Sequence, residues 1–149
     1  MRAPLPFPLT AVLLLACAAG CAAPAATAAS TPAAEDAMLD DLRWKVRPIV
    51  LIAPADDDPR LRQARGTIAA AANGFARRDM ALKVVTAAGH PLRARFGITG
   101  GAFAAILVGK DGGEKARVER LTDLEPWFAL VDSMPMRQRE MRERGEVSP

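Results

Sequence analysis

A continuous apolar, β-rich segment stands well beyond the amino terminus: "PIVLIA", residues 48–53. It has no polar alternation, which predicts a strand covered on both faces in a mostly parallel sheet. Asp58 followed by Pro59 predicts a helix start, because the carboxylate accepts from first-turn amides and proline fits the first helical position. Leu61, Ala64, Ile68, Ala71, Ala72 and Phe75 then recur at spacings of three and four, one apolar helical face running to about residue 75. Asn73 and Gly74 weaken its last turn. "MALKVVTA", residues 80–87, predicts the second strand, and "HPLRARFGI" a short helix opening at Pro91 and closing at Gly97. "FAAILVGKDGGEKARVER" has the outline of a β-hairpin. Residues 103–109 pair antiparallel with 115–120 across a turn where Asp111 and Gly112 take positive φ angles. "TDLEPWFALVDSM" predicts a helix burying Leu124, Trp127, Phe128 and Val131; Thr122 and Glu125 have capping-box spacing, with Asp123 as the alternative cap. "PMRQREMRERG" predicts a last charged helix from Pro135 to Gly145. Ahead of the first strand, "MLDDLRW" places Leu39, Leu42 and Trp44 on one side of a short helical turn.

The order is therefore β-α-β-α-β-β-α with an additional C-terminal helix. This is an α/β chain whose parallel first pair needs the long helix as its right-handed crossover. It is the order of a thioredoxin-like three-layer core, and "LRARFGITGGAFAAILVGKDGGEK" resembles thioredoxins and peroxiredoxins over the same elements. The run from Trp44 through Arg47, Pro48 and the apolar strand to Pro54, with "RRDM" (residues 77–80), "GKDGG" (109–113) and "MPMRQREM" (134–141), resembles one bacterial family more specifically. That family is domain-of-unknown-function family 4174, within the thioredoxin-like superfamily and related to domains of vertebrate secreted matrix-associated proteins. The similarity spans about residues 39–142. It implies a fold and an exported setting, with no established activity.

Length and charge narrow the picture. The chain has 149 residues, half of them apolar, which suits one domain with a single packed core. Its net charge of +3 comes from interspersed acids and bases rather than a basic block, so no nucleic-acid partner is expected. "MRAPLPFPLTAVLLLACAAGC" reads as an export signal, because its apolar run is shorter than the roughly 20 residues that span a bilayer. Both cysteines lie at its end. "AAGC" resembles a bacterial lipobox, which makes Cys21 the lipidation candidate; "LLAC" ending at Cys17 is the rival, and a plain secretory signal cut near residues 26–28 is the other reading. Alanine follows either cysteine, and by resemblance to lipoprotein sorting this places the protein in the periplasm, on the outer membrane. The expected organisation is a signal peptide over 1–21, an Ala/Pro/Thr tether over 22–37, a domain over 38–145 and a tail over 146–149.

Candidate chemistry is sparse. Where redox thioredoxins resemble this chain just after the first core strand, they carry Cys-x-x-Cys, and here the sequence reads "APADDDP". Thiol–disulfide exchange needs a thiolate, and no cysteine follows Cys21. Asp56, Asp57 and Asp58 lack the spacing and glycine of a calcium loop, so helix capping accounts for them and no metal site or cofactor is expected. His90, the sole histidine, is either a general base or an ordinary loop residue. Arg77 and Arg78 are candidates for an anion contact, with Asp79 pairing an arginine or capping the turn. Lys110 and Asp111 stand at a hairpin edge that can join a recognition surface. Arg137 belongs to a solvated helix face available for docking, while Met134, Met136 and Met141 are expected to pack. The leading expectation is an exported binding or structural module whose partner is an envelope protein or a small anionic ligand, with the membrane reached through a lipid anchor. The alternatives are a non-thiol enzyme using Arg78, Asp79, Lys110 or His90 on a small anionic or peroxide substrate, and cell-wall docking through the basic C-terminal helix.

Overall fold

A run of apolar residues in the extended conformation needs cover on both faces, and β1 (Arg47–Ile52) receives it: all six residues are buried. The computed structural model describes residues 39–146. The expected signal, Cys17, Cys21, the expected tether and Met38 lie outside the described residues. β1 is followed by α1 (Pro59–Ala70), α2 (Ala72–Arg77), β2 (Met80–Val85), α3 (Pro91–Arg95), β3 (Ala104–Val108), β4 (Glu114–Val118), α4 (Glu125–Asp132) and α5 (Pro135–Arg144). The sheet order is β2-β1-β3-β4. β1 and β2 run parallel, with Arg47 opposite Met80 and Ile52 opposite Val85, as the long crossover requires. β3 is antiparallel to β1 and to β4, so the sheet is mixed rather than mostly parallel.

Alternation along β1 divides the core. Ile49 and Leu51 face Leu61, Ile68, Phe75, Trp127 and Phe128 beneath α1, α2 and α4. Val50 and Ile52 face Leu39, Leu92 and Phe96 on the α3 side. Two helical layers thus sandwich the sheet, the three-layer arrangement that binary patterning predicts.

The start of α1 follows its sequence signal. Asp58 accepts from the Arg60 amide at 2.7 Å, and the Arg60 guanidinium grips the same carboxylate at 2.7 Å. The Arg60 side-chain hydrogen bond, aided by its charge and by backbone amides, holds the Asp58 carboxyl down at about 2 against the opposing pull of burial. The expected continuous helix to residue 75 is instead broken at Ala71, and the chain resumes as α2 up to Arg77. The break brings Gly74 beneath the Phe128 ring, where an added Cβ would lie 2.6 Å from a ring carbon. In the hairpin turn only Gly112 takes positive φ, at 82°; Asp111 instead accepts from the Gly113 amide through its side chain. Asp123, not Thr122, supplies the carboxylate that receives the Glu125 amide at 3.0 Å. Gly145 ends α5 in the left-handed region, as its position predicts.

Candidate functional site

Arg78, Asp79, Lys110 and Arg137, four of the charged residues singled out in the sequence, join one cluster at the amino end of β1. Arg47 is 1% exposed and donates through both terminal nitrogens to Glu140 on α5, at 3.1 and 3.2 Å. A guanidinium inside a covered strand requires such an anion, since an unpaired buried charge is costly. Glu140 also receives Lys110 Nζ at 2.7 Å, and Lys110 reaches Asp79 at 2.9 Å. Arg144 closes on Asp79 from the other side at 2.9 Å. Burial pushes the Glu140 carboxyl up, but Lys110 and Arg47 outweigh it and hold the group below its ordinary range. Asp79 behaves alike: burial raises it, and Lys110 with Arg144 lower it further than burial lifts it.

A second branch continues from the same helix. Arg78 grips Asp132 at 3.0 and 2.5 Å while its guanidinium lies 4.3 Å from the Phe128 ring centroid. Arg137, 3% exposed at its side chain, bridges Asp132 at 3.2 Å and Glu146 at 2.5 Å. Glu146, which the sequence assigns to the tail, is thereby held to the domain. Burial pulls the Arg137 guanidinium down, and its two carboxylate partners raise it above the ordinary value nonetheless. Arg144 joins the branches, with 3.9 Å to Glu146.

These contacts correct several expectations. Arg78 is not available to an anion, because Asp132 on α4 occupies it. Lys110 is committed to Asp79 and Glu140 rather than projecting as a recognition group. Arg137 points inward, not onto a solvated face. Asp111 is tied to Lys115 Nζ at 2.6 Å, and its carbonyl accepts from Arg43 at 2.9 Å. Arg77 is exposed, and its carbonyl oxygen accepts from Arg144. Asp79 sits at φ 49°, a left-handed turn position that aspartate tolerates better than most residues. The pieces "RP", "RRD", "GKDGG" and "MRQRE" are thus parts of one ion network that fastens α5 across the start of β1.

Above this network lies a groove of about 580 Å³, lined in part by Trp44, Lys115, Leu130, Met134, Met136 and Arg139. Trp44 is not on the buried side of a helical turn, as the sequence suggests. It is 63% exposed, at φ 64°, with its amide donating to Lys110 O at 2.7 Å. A bulky side chain in the left-handed region is strained by roughly 1–3 kcal/mol, and the Lys110 hydrogen bond helps to hold it there. Leu130 and Met136, 37% and 36% exposed, face the same groove.

At the opposite end of the sheet, beyond the carboxyl ends of β1 and β2, lies a second cleft of about 660 Å³. This is the crevice where open α/β sheets usually bind ligands. His90 stands here as the cap of α3, with Nδ1 accepting the Leu92 amide at 3.1 Å. That lone pair is the one a general base would use, so the cap and the base roles compete. Asp56 accepts from Thr86 Oγ1 at 3.1 Å, and Asp58 is spent on α1. The residue that sequence reasoning missed is Arg93, 6% exposed, on the wall of this cleft. Its only sequence signal was a charge next to Leu92 in a helix too short to display a full face.

Comparison with solved structures finds the same fold in peroxidases of Plasmodium yoelii. The chain is similar to Plasmodium yoelii Prx1a, described as modified at the N-terminus and forming an artifactual octamer, with a TM-score of 0.52 and 13% identity over 74% of this chain and 83% of that one. It is likewise similar to Plasmodium yoelii thioredoxin peroxidase I, with a TM-score of 0.51 and 14% identity over the same shares. No curated protein matches by sequence. The profile of the family described as "Domain of unknown function (DUF4174)" matches residues 38–140. On the match over most of its length, and on a fold shared with thioredoxin-like proteins, this chain belongs to the DUF4174 family.

Proposed function

We propose that this chain is an exported, lipid-anchored binding module of the periplasm, in which the thioredoxin-like fold is used without thiol chemistry. Its docking site is the groove at the amino end of β1, and its occupant is a segment of another envelope protein carrying apolar anchors beside a carboxylate. The observation that carries this reading is the grouping of Trp44, Leu130 and Met136, three exposed large apolar side chains, around one cavity. Exposed apolar groups clustered in this way mark interaction surfaces, and tryptophan is among the residues enriched as anchors within them. The charge of the lining supports an acidic occupant. Arg47, Lys110 and Lys115 each already hold a carboxylate, and Arg139, which has no acidic partner among the described residues, is the lining cation left to meet an acid.

Catalysis of the kind performed by thiol peroxidases needs a thiolate, and the cysteines of the chain, Cys17 and Cys21, both precede the domain. Docking to the cell wall through a basic C-terminal helix is weakened by the inward turn of Arg137 and the pairing of Arg144. No helix among the described residues is long and apolar enough to cross a membrane, so attachment would rest on the N-terminal lipid.

Random peptides displayed on phage and selected on the folded domain test the docking site. Selection is expected to enrich an aromatic or long aliphatic residue within a few positions of Asp, Glu or a free carboxyl terminus. A Leu130→Glu, Met136→Glu variant should lose at least tenfold in affinity for them. Enrichment of peptides without that pattern, or equal binding to the variant, would overturn the proposal.

A further inference from the structure

The buried guanidinium of Arg93 offers a second site, independent of the groove and about 20 Å away along β1 at the usual rise per residue. Arg93 Nε donates to Ala87 O at 3.0 Å, one terminal nitrogen to Gly100 O at 3.4 Å, and the other to Ala53 O. These carbonyls belong to the segments that leave β2, approach β3 and leave β1. The side chain therefore sits where three loops meet at the carboxyl end of the parallel pair. Every partner is a neutral oxygen. No carboxylate lines the cleft, whose polar side chains are Arg93, His90 and Thr99, and Arg93 has no ion pair among the described residues.

A guanidinium has five N–H groups, and three are used here. Carbonyl dipoles offset part of the cost of burying the cation, but they leave its charge uncancelled, and a low-dielectric wall strengthens its attraction for an anion. The rest of the lining is small or apolar: Pro54, Ala88, Pro91, Ala94 and Ile98. Added Cβ atoms at two of the lining residues, Gly89 and Gly101, would meet nothing within 4 Å. The volume falls in the range of small-molecule sites.

We infer that this cleft binds a small organic carboxylate, its carboxyl group on Arg93 and its short apolar body against Ile98 and the two prolines. One cation with an apolar wall suits a carboxylate better than phosphate, which carries more charge and more acceptors than this site can meet.

The test is a titration with isobutyrate followed by amide and arginine Nε–H chemical shifts, with sodium chloride and inorganic phosphate as matched controls. Isobutyrate is expected to shift Gly100, Gly101 and Arg93 Nε–H saturably, with a Kd on the order of 1 mM, as its small size allows. Because replacing Arg93 would remove three loop contacts, the paired variant is Ala88→Glu at an exposed lining position, which supplies the cleft with its own carboxylate. That variant should fold, bind isobutyrate at least tenfold more weakly and melt higher than the parent without ligand. Shifts matched by chloride, equal or stronger binding of phosphate, or unchanged isobutyrate affinity in Ala88→Glu would overturn the inference.

Discussion

Glu140→Gln isolates the ion network at the amino end of β1, because it removes one charge while keeping the shape of the side chain. Glu140 touches Arg47 at 3.1 and 3.2 Å and Lys110 at 2.7 Å. At an effective dielectric near 20, each of these attractions is about 4 kcal/mol, much of it cancelled by desolvation of the carboxylate. Breaking a buried pair from one side typically costs about 3–5 kcal/mol. Here Lys110 keeps Asp79, Arg47 keeps its bond to Arg78 O, and Glu140 is 14% exposed at its side chain, so the loss falls at or just below the lower end. The expected loss is about 2–3 kcal/mol, or roughly 10 °C in Tm for a domain of this size. Urea unfolding read by fluorescence measures it, since Trp127 is buried and reports the transition. The midpoint should fall by roughly 1.5–2 M. In 1 M sodium chloride most of the difference should persist, because buried pairs are screened little. A loss under about 1 kcal/mol, or one that salt abolishes, would refute the claim that this network braces α5.

Three further outcomes are expected. Gly74→Ala places a Cβ 2.6 Å from the Phe128 ring and should destabilise by about 1–3 kcal/mol in the same urea assay, despite alanine's better helix propensity. Asp58, Asp79 and Glu140 all hold their protons less tightly when folded than their ordinary values of 3.8, 3.8 and 4.5. The unfolded chain therefore binds more protons as pH falls from about 4.5 to 2, so stability should drop across that window and stay level above it; Asp58→Asn should flatten the lower part of the curve. Trp44→Gly relieves a left-handed tryptophan that is mostly exposed, and should raise stability by about 1 kcal/mol in thermal melts while removing the peptide anchor.

The sequence made the local elements legible where the signal was itself local. The unbroken apolar run of β1, the Asp58–Pro59 start of α1, the Gly112 turn and the Gly145 stop each follow from residues within a few positions of one another. The charged residues misled for the opposite reason. Arg78 reads as free because its partner Asp132 is 54 positions away, and the partner of Arg47, Glu140, is 93 positions away. One local feature still pointed to the answer: an arginine opening an otherwise apolar, fully covered strand demands a buried anion. The break at Ala71 was only faintly signalled, by Asn73 and Gly74 just beyond it, because it lies within a run of alanines that continues the helical pattern. Trp44 reads as sharing one side of a helical turn with Leu39 and Leu42, and its exposure instead depends on a backbone angle that no residue type nearby announces.

The network formed by the family-like segments is proposed to brace a docking face on the amino end of β1. Chemical-shift mapping of a phage-selected peptide on the labelled domain tests it most directly. Perturbations confined to Trp44, Arg47, residues 109–115 and residues 130–139, with Gly100 and Gly101 unmoved, are the predicted result. Perturbations centred on the far cleft or spread over the β4 edge, with the groove silent, would contradict it.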